Sequence, residues 1–173
     1  MRSVLRLNKV NNMKREIVID LYIFDEHGLI AAVERDENDM YEKNVLSGGI
    51  LILPHGKHPV EHIRQYLEEK SLRIQSIEML PTIYHNTFDT TPDEEFLVLS
   101  FKVVANHQDV ISGDDENRKF IWMTMEEFTN HPKLMPEFKR SNVQQIFESK
   151  PLFYKGYYKE SDGSYDVLNW QVF

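Results

Sequence analysis

The stretch "GGILILPHGKHPVEHIRQYLEEKSL", Gly48 to Leu72, passes from the pattern of a strand to that of a helix within a few residues. An apolar run from Ile50 to Leu53 is closed by Pro54 and Gly56, the pattern of a strand running into a turn. Pro59 then stands where the first turn of a helix tolerates proline. Beyond it the period becomes helical. At about 100° per residue, Val60, Ile63, Tyr66 and Leu67 share an arc of roughly 120°. Glu61, Gln65, Glu68 and Glu69 fall on the opposite arc. Such a helix buries one side on a sheet and shows an acidic side to solvent. Gly48 and Gly49 allow the chain to pass close to a ligand or simply to bend between strands.

Upstream, "EIVIDLYIF" (Glu16–Phe24) is rich in β-branched and aromatic residues, "DEHG" makes a turn, and "LIAAVER" follows, which predicts a hairpin. Downstream, "RIQSIEML" and "TIYHNTF" read as strands, and "FLVLSFKVVA" after the acidic loop "DTTPDEE" is the most strand-like segment. "KFIWM" leads to Thr124 with Glu127 three residues on, the spacing of a capping box that opens a short helix. A last amphipathic helix is expected from about Pro136 to Glu148, with Phe138, Val143, Ile146 and Phe147 toward the core. The order of strands, helix, strands, helix predicts a mixed α/β or α+β domain with helices packed on a sheet.

A chain of 173 residues with 41% hydrophobic content supplies one ordinary globular core. A formal net charge of -8 opposes binding to duplex nucleic acid. The absence of cysteine removes thiol nucleophiles, disulfides and cysteine-ligated zinc, and fits a reducing compartment. With no apolar run of membrane-spanning length and no signal-peptide core at the N-terminus, the expectation is a soluble, cytoplasmic protein.

Residues 1–15 hold Arg2, Arg6, Lys9, Lys14 and Arg15 with no acid, and read as a basic lead-in. Residues 16–150 form the expected domain, and 151–173 an aromatic-rich extension with a hairpin turn at Asp162-Gly163. Its aromatics are expected either to cover an open sheet edge or to meet a second copy as a homodimer.

The stretch from Gly48 to Leu72 resembles the signature of the Nudix family: Gly, five residues, Glu, seven residues, Arg-Glu-U-x-Glu-Glu-x-Gly-U, with U aliphatic. Arg64 takes the Arg position, Tyr66 the first U, Glu68 and Glu69 the paired glutamates, and Leu72 the last U. Gln65 stands where the family has Glu, Ser71 where it has Gly, and Lys57 replaces the first signature glutamate. The loop to Gly56 is two residues longer than in the signature, and the segment to Arg64 one shorter. The order of elements from residue 16 to 148 is also similar to the family's. The resemblance implies an α/β/α sandwich with a mixed sheet.

It also implies a chemistry. Cleaving a nucleoside diphosphate linked to another group requires neutralising phosphate charge, which magnesium or manganese on several carboxylates accomplishes while orienting water. The metal ligands carried over are Glu68 and Glu69, with Glu61 on the same arc as a further candidate. Catalytic candidates are Glu68 and, from the acidic loop holding Asp114 and Asp115, Glu116. Gly48, Gly49, Lys57 and Arg64 are the candidate substrate contacts. Gln65 neither carries charge nor removes a proton at neutral pH. Lys57 puts a positive charge near the metal position, where it opposes a cation and favours phosphate.

Each residue has a plainer reading beside this one. Paired glutamates on an exposed helix face are commonplace, and hydrophilic loops carry acids without using them. His55, His58 and His62 are crowded, with His58 and His62 at a spacing that suits zinc, but Pro59 puts His58 at the helix entrance. Tyr84, Phe88 and Trp122 could stack on a base, although strand aromatics usually belong to the core. Two functions follow from the resemblance. One is a Nudix-fold protein with a degenerate box, catalytically impaired, that binds a small phosphorylated, nucleotide-like ligand or a partner. The alternative is a divergent magnesium-dependent pyrophosphohydrolase. The isomerase branch of the fold uses a catalytic cysteine, which this chain lacks.

Overall fold

The computed structural model describes residues 14–35, 46–47, 49–89, 94–107, 118–134, 151–161 and 164–172. In chain order these form β1 (Lys14–Phe24), β2 (Ile30–Arg35), β3 (Leu46–Ser47), β4 (Gly49–Ile52), α1 (Pro59–Glu69), β5 (Ile74–Phe88), β6 (Glu94–Ala105), β7 (Arg118–Met123), α2 (Met125–Thr129), β8 (Leu152–Ser161) and β9 (Ser164–Val172). The helix expected from about Pro136 to Glu148 lies outside the described residues.

The nine strands of the described residues belong to one mixed sheet, seven of them in the order β3-β2-β1-β6-β5-β8-β9, with β4 and β7 off this path. β1 is its centre. It runs parallel to β6 along its whole length, from Lys14 opposite Glu94 to Phe24 opposite Val104. Its other edge is shared: β2 pairs with it near Phe24, and β4 pairs antiparallel from Leu21 opposite Gly49 down to Val18 opposite Ile52. β7 pairs with β2.

Alternation along β1 divides the core in two. Ile19, Leu21 and Ile23 share one face with Phe101, Val103 and Ala105, and α1 closes over it with Ile63 and Leu67. On the opposite face Tyr22, Leu80 and Tyr84 pack with Phe128 of α2 and Leu134. α2 starts on the expected capping box, with Thr124 Oγ1 accepting from Glu127 N and the Glu127 carboxylate accepting from Thr124 N. Asp20, Thr82 and Ser100 are also buried, and the Thr82 and Ser100 hydroxyls have no partner among the described residues. Burial pushes the Tyr22 hydroxyl pKa well up, and Asp20 and Tyr84 add to the shift.

Two expectations are amended, and the C-terminal segment takes the first of its two expected places. Lys14 and Arg15 are part of β1, where Lys14 pairs with Glu16 and Glu94 and Arg15 with Glu95. The two strands expected around Pro81 are one strand, β5, because an irregular register between Met79 and Ile83 takes up the proline without ending the ladder. The aromatic C-terminal segment joins the main sheet. β8 lies parallel to β5 and β9 folds back antiparallel, so the segment covers the β5 edge.

Candidate functional site

α1 is placed by a turn and ended by a cap. Lys57 N donates to Pro54 O at 3.1 Å across Gly56, whose φ of +79° is the left-handed value that glycine adopts without strain. At the other end, Leu72 N donates to Leu67 O and Ser71 N to Glu68 O, the paired bonds of a Schellman cap. Ser71 has φ 60°, so the position where the family's signature has glycine is left-handed here too. A serine in that conformation costs about 1 kcal/mol relative to glycine. Lys70 beside it is buried, with its ammonium 5.7 Å from the centre of the Tyr66 ring.

Gly49 is buried against β1, and a β-carbon there would come within 3.3 Å of Leu21 Cβ, a packing reason for glycine. Gly48 lies outside the described residues. On the outer face of α1, Glu61, Arg64, Gln65, Glu68 and Glu69 are all exposed, as the helical period predicts. Lys57 reaches this face. Its Nζ donates to Gln65 Oε1 at 2.8 Å, and Gln65 Nε2 donates to Glu69 Oε1 at 3.0 Å. The two residues that depart from the acidic signature are therefore bonded to each other. Through Gln65 they are bonded to one of the two glutamates that remain.

The divalent ion implied by the resemblance needs about six oxygen ligands. Glu68 and Glu69 leave the helix about 100° apart, Glu69 Oε1 already accepts from an amide, and an ammonium occupies the approach to Gln65 Oε1. No group of three or more His, Asp or Glu side chains suited to a metal ion occurs among the described residues. The donors on this face do not fit such an ion. His55 and His58 are exposed, and His62 is half-buried with its Nδ1 unpartnered among the described residues. Asp114, Asp115 and Glu116 lie outside the described residues. Tyr84 is a core residue, while Trp122 is half-buried and packs against the core under α1.

A second polar centre was not foreseen. At the C-terminal ends of β1 and β6, Asp25 Oδ2 lies 2.7 Å from His107 Nδ1, and Asp25 Oδ1 accepts from Leu29 N at 2.7 Å and His27 N at 2.9 Å. The Asp25 side chain is fully buried. Burial alone would raise its pKa, but the hydrogen bonds from Leu29, His107 and His27 outweigh it and hold the carboxyl below its ordinary value. The carboxylate of Glu26 accepts from His107 N at 2.7 Å, and the His107 ring lies 5.0 Å from that of Trp122. Asn106 extends the network to the exit of α1, exchanging bonds with the backbone of Arg73. An aspartate opening a turn is a sequence signal for the first part of this cluster. Nothing local points to its partner His107, just beyond β6.

No family model matches the sequence, and no curated protein matches it. Among solved structures, the chain is similar to the MutT protein from Bacillus halodurans at a TM-score of 0.70 and 16% identity, over 91% of this chain and 97% of that one. A Nudix hydrolase from Nitrosomonas europaea is similar at 0.59 and 16%, over 79% and 92%, and the MutT protein from Methanosarcina mazei Go1 at 0.59 and 14%, over 77% and 93%. Likeness at these identities concerns the path of the backbone, and it extends over most of each molecule. The mixed sheet centred on β1, with α1 across it, is the Nudix fold.

Proposed function

We propose that this Nudix-fold chain binds the phosphates of a small nucleotide-like ligand at the outer face of α1, and that hydrolysis of the box type is impaired. The hydrogen-bonded chain Lys57–Gln65–Glu69 carries this reading. It puts a cation and a neutral amide where a hydrolytic box needs carboxylates. Arg64, exposed on the same helix, adds a second positive group.

The test is a panel of nucleoside triphosphates and nucleoside diphosphates linked to other groups, with magnesium, followed both for binding by calorimetry and for release of product. Saturable binding without enzymatic turnover is the expected result. Turnover that Glu69→Gln abolishes while the fold is intact would establish the hydrolase instead.

A homodimer through the C-terminal segment belongs to the same proposal. β9 ends the strand order of the described sheet, and Phe153 and Tyr157 of β8 are 38% and 39% exposed. Sedimentation of the full chain over a wide concentration range checks it, and a monomer throughout would remove it.

A further inference from the structure

We propose that the ammonium of Lys57 is the resident cation of this site: it takes the place of a divalent ion, and phosphate binding there needs no added metal. The inference rests on the binding reading above and concerns what supplies the positive charge.

The chemistry of the three bonded groups carries it. An ammonium has three donors and no acceptor, and an ionised carboxylate accepts without donating. A neutral amide, which both accepts and donates, can join one to the other, and Gln65 does so, its oxygen toward Lys57 and its nitrogen toward Glu69. A glutamate at position 65 would satisfy Lys57 but would stand as a like charge four residues from Glu69 on the same helix face. Lys57 and Gln65 therefore belong to one hydrogen-bonded chain, in which Lys57 donates to Gln65 and Gln65 donates to Glu69 without adding a like charge beside it. Their electrostatic effect is also joint. Lys57, Gln65, Glu68 and Glu69 carry one net negative charge between them, where four glutamates would carry four. A fourfold negative cluster recruits a divalent cation, whereas this one contains its own.

Geometry fixes the ammonium in place. The Pro54–Lys57 turn holds the backbone of Lys57 immediately before α1, and the bond to Gln65 spans from that turn to the helix face. One donor of Lys57 is used. The other two have no partner among the described residues and suit an anionic oxygen. A phosphoryl oxygen fits, since charge-assisted bonds from an ammonium to phosphate are short and strong.

The experiment uses the full chain and two probes, manganese and inorganic pyrophosphate. Expected are no saturable manganese binding to the wild type, and saturable manganese binding in the K57E/Q65E double variant, which places carboxylates beside Glu68 and Glu69. With chelator present, pyrophosphate should bind the wild type, lose about tenfold or more in affinity with Lys57→Met, and be retained with Lys57→Arg, which keeps the charge. Thermal unfolding verifies that each variant is folded. Because Lys57 is on the surface, Lys57→Met keeps the test decisive even if the double variant does not fold. Manganese binding by the wild type that is lost in E68Q/E69Q overturns the proposal, as does pyrophosphate affinity unchanged by Lys57→Met. Pyrophosphate that binds solely with manganese overturns the resident cation and leaves the binding reading standing. Pyrophosphate that binds under neither condition overturns both.

Discussion

The two sides of α1 differ in what they keep of the signature they resemble. The inner side retains its packing: Ile63 and Leu67 are fully buried, Leu72 closes the cap, and the left-handed position survives even with serine in place of glycine. On the outer side Lys57 is bonded to Gln65 and Gln65 to Glu69, so the exposed face carries a cation and an amide beside its acids. Packing is set by shape shared with the rest of the core, so a change at one buried residue is felt by its neighbours. Surface chemistry is set by a few groups facing one another and can change in pairs.

The largest effects are expected on the inner side of α1. Leu67→Ala should cost about 3 kcal/mol in urea unfolding, from lost burial plus the cavity left under the sheet. Little relief is expected, because Leu67 meets a sheet face that is itself fully packed. Next comes the polar centre that ties the hairpin turn to the exit of α1. Asp25→Ala should cost about 2–3 kcal/mol, since three donors lose a charged acceptor. Its pH dependence has a definite sign. The folded pKa of Asp25 is held below the ordinary carboxylate value, so its contribution is fully present above that value and fades as pH falls through the folded one. The stability gap between wild type and Asp25→Asn should therefore narrow on acidification.

Smaller changes sharpen the contrast. Ser71→Gly should raise stability by about 1 kcal/mol by relieving the left-handed φ at the cap. Gln65→Met, which severs the chain from Lys57 to Glu69 on an exposed face, should leave the unfolding midpoint unchanged while altering pyrophosphate binding. A large loss of stability with Gln65→Met would show that the outer chain is a structural brace.

How much of this was legible beforehand depends on distance along the chain. α1 was readable because Pro59, the apolar stripe and the acidic arc lie within a few turns of one another. The Thr124–Glu127 box was readable for the same reason. β5 was misread at Pro81, because a proline normally interrupts a ladder and the shifted register that absorbs it depends on β6. The Lys57–Gln65 bond depends on the turn at Gly56 directing one residue back along the helix, which residue spacing does not reveal. The Asp25–His107 pair joins residues 82 positions apart, and the parallel register of β1 and β6 alone brings them together.

That parallel register also has a consequence for how the molecule is made. Arg15 and Glu95 meet across 80 residues, so one flank of the central strand stays unpaired until β6 has been synthesised. Closing so long a loop is slow, and meanwhile "IVIDLYIF" is a β-prone apolar segment open to pairing with other chains. Asp20 interrupts that run. A carboxylate within such a run opposes its aggregation while the strand is unpaired, and the finished sheet then buries it.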